Sequence, residues 1–515
     1  MKRTLISLLL VLTMTFALAA PALAEQEAPV KLRIAAPRSS EDQSSSFNDK
    51  EVVQKFCKEA NVEVEWIEIP SGSITERKGV ILASDLPDAF LGIVEQDDIT
   101  ANSDLFLPLQ DLLPQYAPNI YEQFNSMGEQ VWNICTWPDG NVYALPGNWM
   151  LATGNVVERQ PMINQKWLEN VGKKMPTTLD ELYDVLKAFK EQDANGNGDP
   201  SDELPISCRP EDFIYFGGSW GFTNDFYRIE DGKVIGVAAT EDYRAFLEFY
   251  NKLASEGLLD VESFSQTNDQ WSAKFKGNRL GISWCWRPGT DLAGSECQKD
   301  FVSYLPVMAE GCEGRPAVPG SKTKFTGILV ALAITTACKN PEAVLRFWDN
   351  ASATTEQKMI FSQGFEGYTW GWDDAGRPIE FDVPAELDPE NKGRSWWRFN
   401  LSAIDNVLPL ILPHEQSYFP SDAFDPQAKY NLAMDVWEYV ADQEESMPLR
   451  IVDAETLEEK TMIEPDLKNY LTSFVANSVI NGVTDESWAK HLEELEKYQY
   501  SDYIEWQQKY YDGSF

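Results

Sequence analysis

Polar and apolar residues alternate along Val30-Lys-Leu-Arg-Ile-Ala-Ala36 and again along Val62-Glu-Val-Glu-Trp-Ile-Glu-Ile69. A period of two predicts strands with one face buried. Asp49 to Ala60 and Gly72 to Ala83 read as helices, and Leu86-Pro-Asp-Ala-Phe-Leu-Gly92 as a third, buried strand. Strands that alternate with helices predict a parallel sheet covered on both faces. Such folds bind ligands beyond the carboxyl ends of their strands, so the polar loop Arg38 to Ser46 is a candidate binding loop.

Further along, Thr178 precedes an apolar stripe of Leu179, Leu182, Leu186 and Phe189, with Glu181 three residues on, which predicts a helix closed by a capping box. Helices are also predicted over Thr240 to Glu256, Pro341 to Asn350, Asp466 to Asn481 and Thr484 to Tyr511. The apolar run Phe325 to Ala337 is too short to cross a bilayer and reads as a buried strand. Another strand starts at Leu280 and ends in Trp284-Cys-Trp-Arg287, where alternation sends Trp284 and Trp286 to one side. No segment repeats.

The first 24 residues stand apart. Lys2 and Arg3 precede the apolar stretch Leu5 to Ala20, and Ala22-Leu23-Ala24 is a small-x-small cleavage site, so a signal peptide removed after Ala24 is expected. No cysteine follows that site, so lipid anchoring is not expected. Against 43 Lys and Arg stand 82 Asp and Glu, a formal net charge of -39. That balance argues against nucleic acid and anionic membranes as partners, since phosphate binding needs a basic face. With only two histidines, a His-centred zinc site or a serine triad has almost nothing to be built from. His491 falls on an acidic helix and is expected to be solvated. The seven cysteines are scattered; Cys297 and Cys312 are the candidate pair for one bridge.

Asp193-Ala-Asn-Gly-Asn-Gly-Asp-Pro-Ser-Asp-Glu203 is the clearest local motif. Asp193, Asn195 and Asn197 set oxygens at alternate positions, Gly196 and Gly198 supply permissive backbone, and Asp202 and Glu203 follow close enough to close a cage. Hard oxygen ligands at this spacing suit calcium. The loop resembles the first half of an EF-hand without its closing glutamate, since Leu204 takes the twelfth position. The alternative is an Asx-rich turn without metal.

Aromatic residues are abundant, with 17 Trp, 19 Tyr and 26 Phe. A glycan presents hydroxyls at its edges and C–H patches on its faces, which call for flat aromatics beside planar polar groups. Three clusters have that composition: Trp284, Trp286 and Arg287; Glu366, Trp370 and Trp372; and Trp396 with Trp397 between Ser395 and Phe399. Trp220 is a fourth candidate. Arg38, Arg287, Arg394 and Arg398 could bind hydroxyls or a carboxylate. Each Trp could equally be core, and each Arg an ion-pair partner.

The order of several segments resembles the extracellular solute-binding proteins of bacterial ABC importers, in particular the family-1 carbohydrate group with LipO-like and alginate-binding members. The carrying residues are Leu82-Ala-Ser-Asp-Leu-Pro-Asp88, Trp137-Pro-Asp-Gly-Asn-Val-Tyr-Ala-Leu-Pro146, Ile163-Asn-Gln-Lys-Trp-Leu168, Pro176-Thr-Thr-Leu-Asp-Glu-Leu182 with the acidic loop behind it, Lys339-Asn-Pro-Glu-Ala343 and Gly364-Phe-Glu-Gly367. The resemblance implies an α/β fold, a two-lobed periplasmic-binding-protein-like (type II) clamshell with discontinuous lobes and a helical C-terminus. Its lobes are expected at 25–150 with about 310–375, and at 151–309 with about 376–515. It implies capture of a carbohydrate, expected to be an oligosaccharide, for delivery to ABC permease subunits by a monomer without catalysis. It also implies a structural Ca2+ held by the side chains of Asp193, Asn195 and Asn197, the Asp199 carbonyl, and the Asp202 and Glu203 carboxylates. The rival readings are a secreted glycoside-acting enzyme, a surface glycan-binding adhesin or sensor, and, more narrowly, a peptide-binding importer component.

Overall fold

The predicted strands form where apolar side chains fall on alternate positions. In Val30–Arg38, Leu32, Ile34 and Ala36 enter one core while Ala35 enters another on the opposite face. The computed structural model of the chain describes residues 28–149, 157, 159–286, 288–292, 295–312, 314–322, 328–381, 383–390, 392–404, 407–412, 415 and 434–515.

Val30–Arg38 pairs in parallel with Val62–Pro70 and Ala89–Leu91. Helices Glu51–Ala60 and Ile74–Ser84 make the connections between them. Ile328–Ile334 then inserts antiparallel between Ala89–Leu91 and Ala144–Trp149, and Leu410–Ile411 closes the edge of a six-stranded sheet. At Gly147 a Cβ would lie 2.2 Å from the Leu408 carbonyl oxygen, so the edge strands approach this closely only at glycine.

A second, four-stranded sheet runs in the order Phe301–Ser303, Gln160–Asn164, Leu280–Cys285, Leu204–Ile206. An aromatic-rich core with Phe213, Phe216, Trp220, Tyr243, Phe246 and Trp284 covers one face, and Met162, Trp271, Phe275 and Cys285 cover the other. Two α/β lobes therefore form, each around its own sheet. Between them Val318–Ser321 pairs with Val440–Ala441, and Val157 bridges to Gly320, so three passes of the chain lie side by side.

Several elements differ from expectation. Ala403, Ile404, Val407, Leu410 and Leu412 belong to the first core, which therefore continues past the expected crossover near 375. The helix expected from Asp466 begins at Ala454 and carries Pro465 inside it. Proline removes one backbone donor, but tertiary bonds hold the turns before it: the Trp506 indole N–H donates to the Thr456 carbonyl at 3.0 Å and the Tyr503 hydroxyl to Glu464 at 2.8 Å. The long terminal helix is two helices, Asp485–Lys497 and Tyr500–Asp512, separated by Gln499 at φ 56°. Thr178 caps Leu179–Glu191 through the Glu181 N–H at 3.1 Å, but the Glu181 carboxylate reaches back to Thr177 rather than completing a box.

His491 is buried, not solvated. Its Nε2 donates to the Ala238 carbonyl at 2.9 Å, leaving Nδ1 to accept from the Tyr470 hydroxyl at 2.7 Å, and its ring stacks 3.7 Å from Phe474. Burial pushes its pKa down to about 4. All seven cysteines are free: Cys297 is buried and Cys312 bonds to the Gly314 carbonyl, so the expected bridge does not form. No described helix is long and apolar enough to cross a membrane.

Candidate functional site

The candidate loop after Val30–Arg38 is fixed in place by a buried ion pair. Lys50 lies 2.7 Å from Asp42, each side chain 2% exposed. Its other donors go to the carbonyls of Phe399 at 2.8 Å and Ser402 at 3.1 Å, so all three ammonium hydrogens have acceptors. Burial pushes the Asp42 carboxyl up, but the bonds from Lys50 and Ser44 outweigh it and hold it below the usual range. Asn400 adds two bonds to the loop, accepting from the Gln43 N–H at 2.9 Å and donating to the Glu41 carbonyl at 3.0 Å. The loop is thereby bound to helix Gly393–Leu401.

That helix starts where the Asp388 carboxylate accepts from the N–H groups of Lys392 and Gly393, at 2.9 and 2.8 Å. It carries Trp396 and Trp397, both half-buried. Trp397 stacks on Tyr368 with centroids 5.9 Å apart and planes at 21°, and meets Trp396 edge-on at 5.2 Å. Trp372 is half-buried and Glu366 exposed on the neighbouring turn. The first lobe thus brings Glu366, Trp372, Trp396 and Trp397 to its surface, together with Tyr368.

Other predicted site residues lie elsewhere. Trp370 is fully buried, its N–H donating to the Gly364 carbonyl at 2.7 Å. Trp220 is 3% exposed among Phe246, Phe249 and Tyr250, in the core of the second lobe. Trp284 is also 3% exposed, edge-on to Tyr215 and Phe216, while Trp286 lies past the strand end, half-buried, its backbone N–H donating to the Asp291 carboxylate at 2.6 Å. These two tryptophans therefore do not share an exposed face. Arg38 is occupied by Glu68 and the Ser44 carbonyl, and Arg394 by Glu380 and, at 2.7 Å, Gln363. Arg398 lies 4.6 Å over the Phe399 ring. Arg287 lies outside the described residues.

The second lobe supplies polar groups that a search for tryptophan clusters misses. Asp212 accepts from Arg159 at 3.2 Å and Arg209 at 2.7 Å. Burial alone would lower the Arg209 guanidinium, but Asp212 outweighs it and holds Arg209 above its ordinary value. Arg209 also lies 4.4 Å over the Trp271 ring. Gln160 starts the strand beside this group, opposite Cys285 in the register. The i,i+3 spacing of Arg209 and Asp212 was readable in the sequence; the environment of Gln160 was not.

In the acidic loop Gly196 and Gly198 take φ of 75° and 90°. The Asp193 carboxylate accepts from the Gly198 N–H at 2.9 Å, Asn195 from Asn197 at 2.9 Å, and Asn197 from Asp199 at 2.7 Å. Asp202 accepts from the Asn195 and Asn197 amides at 2.9 and 3.1 Å. One oxygen of Asp193 and one of Glu203 are buried without a partner, and burial pushes the Glu203 carboxyl up. Among the described residues no three carboxylate, His or Cys side chains already converge at metal distance. Two unmet carboxylate oxygens beside amide oxygens nevertheless form a hard donor set that fits a calcium ion.

Two lobes around separate sheets, joined by adjacent crossing segments, define a binding-protein clamshell. The sequence profile of the bacterial extracellular solute-binding proteins matches residues 44–358, and the chain belongs to that family. It is 28% identical over 494 residues to the fructooligosaccharide ABC transporter substrate-binding protein FusA of Streptococcus pneumoniae, covering 90% of this chain and 87% of FusA. Structures of FusA with kestose, and of a FusA EF-hand mutant with fructo-nystose, each match with TM-score 0.81 and 25% identity, over 94% of this chain and 99% of FusA. Lipoprotein LipO of Bacillus subtilis is 26% identical over 398 residues, 72% of each protein.

Proposed function

We propose that the protein is an exported monomeric carrier that closes its two lobes on a neutral oligosaccharide and hands it unchanged to the permease subunits of an ABC importer. The observation that carries this reading is the set of half-buried aromatics Tyr368, Trp372, Trp396 and Trp397 beside Glu366, on a lobe whose loop and helix are locked together by Lys50 and Asp42. Sugar C–H faces stack on such rings, and hydroxyls bond to the planar groups around them. Glu68 and Glu380 already neutralise Arg38 and Arg394, which favours an uncharged ligand over a uronate. The near full-length likeness to FusA, which is named for fructooligosaccharides, supports the same class.

The signal peptide is removed after Ala24 in this reading. The Asp193 to Glu203 loop serves stability at a distance from the sugar. Asp193, Asn195, Asn197, Asp199, Asp202 and Glu203 would hold the Ca2+, which supplies positive charge to an acidic turn and takes no part in binding the glycan.

A thermal-shift panel of neutral and uronic-acid oligosaccharides including kestose, run with calcium and with chelator, tests both parts. Neutral oligosaccharides should raise the melting temperature, and calcium should raise it independently. Silence across the panel removes the carrier reading, and identical curves with calcium and chelator remove the metal.

A further inference from the structure

Polar atoms without partners collect at one strand end of the second lobe. Among the described residues, both atoms of the Gln160 side-chain amide lack a hydrogen-bond partner although the residue is 0% exposed. Nη2 of Arg209, a residue 7% exposed, is likewise unmet. Gln160 stands opposite Cys285 and Pro161 opposite Trp284. Directly opposed residues share a face with their Cβ atoms about 5 Å apart, so the amide lies on the Cys285 side of the sheet. Arg209 is on that side too: it covers Trp271, whose indole N–H donates to Ser283 of the same strand at 3.0 Å. Across the sheet the Trp284 N–H and the Tyr304 hydroxyl are also buried and unmet, and the Tyr304 N–H bonds to the Pro161 carbonyl at 2.7 Å.

Buried amides are almost always satisfied, because leaving both ends unmet forfeits the hydrogen bonds that water gave them. Here the unmet groups sit where a ligand is expected. Leu204–Ile206 and Leu280–Cys285 are parallel, and their carboxyl ends point to this spot. Gln160 also lies three residues beyond Val157, which bridges to Gly320 in the crossing segments, so parting of the lobes starts beside it.

We infer that Gln160 is a specificity-determining residue of the second lobe whose amide reads a vicinal pair of hydroxyls on a sugar ring. Nε2 donates to one hydroxyl and Oε1 accepts from its neighbour, while the free Nη2 of Arg209 donates to a further oxygen. The inference rests on the oligosaccharide-carrier reading.

Replacing Gln160→Met keeps the length of the side chain and removes both polar ends. The test compares wild type and Q160M by calorimetric titration with kestose, or with whichever panel sugar the wild type binds, and by melting of the ligand-free proteins. Affinity should fall roughly ten- to a hundredfold, while the ligand-free melting temperature stays level or rises, since an unmet amide is replaced by an apolar group. Equal affinity in the two proteins overturns the inference and leaves the carrier reading intact. A clear drop in the ligand-free melting temperature of Q160M also overturns it, because the amide would then be satisfied within the fold. A wild type that binds none of the sugars defeats the carrier reading itself.

Discussion

In the first lobe, Arg38 and Arg394 each meet a carboxylate, Lys50 has three acceptors, and the groups left at the surface are aromatic rings beside Glu366. In the second, around the start of Gln160–Asn164, an amide, a guanidinium nitrogen, an indole N–H and a phenol are buried with nothing to bond. The first wall has its charges paired and leaves the Trp397 indole N–H unmet, whereas the second has an amide and a guanidinium nitrogen to fill. Stacking surfaces need no partner to be stable, whereas hydrogen-bonding groups meant for a ligand remain unmet until it arrives. A carrier that combines the two gains affinity from the first and discrimination from the second.

The sharpest way to break the contrast is to open the first wall. Lys50→Met strands the Asp42 carboxylate in a buried site and should cost about 3–5 kcal/mol of stability in urea unfolding. A loss under 1 kcal/mol would mean that the loop and helix Gly393–Leu401 hold together without the pair. Acid tests the second lobe. Because the folded His491 pKa is depressed to about 4, the unfolded chain takes up a proton near pH 6.5 that the folded one refuses. Stability should therefore fall from pH 6.5 toward pH 4, by about 3 kcal/mol from this group. His491→Gln should lack that component, and identical pH profiles for the two proteins would show that His491 does not carry it. The smallest effect belongs to stacking. Trp397→Ala should weaken oligosaccharide binding about tenfold; unchanged titration curves would remove the helix from the site.

Much of the framework was legible in the chain. Val30–Arg38 and Val62–Pro70 alternate cleanly because each has one strongly apolar face, and Thr178 and Thr240 announce helix starts because capping is a local bond. The turns from Ala454 to Pro465, ahead of the expected start at Asp466, were not legible because Trp506 and Tyr503 hold them from outside their own sequence. Among the tryptophans, composition cannot separate Trp370, fully buried, from Trp372 two residues on and half-exposed. Both satisfy the same pattern, and only the packing of Gly364 and Glu380 around them distinguishes the two. Gln160 was illegible for a related reason: whether a polar atom has a partner is a property of the folded whole, and residue type alone does not reveal it.

The edge strand Leu410–Ile411 and the core residues up to Leu412 carry a consequence for how the molecule is made. The sheet that begins at Val30 stays open on one side until residue 412 has been synthesised, and the four-stranded sheet is by then already complete. Order of emergence and order of sheet closure are therefore inverted: the sheet that starts first is completed last, while the core of the second lobe still awaits residues up to Tyr503. Any fragment ending before residue 412 leaves Ala144–Trp149 as a bare edge, open to pairing with another copy.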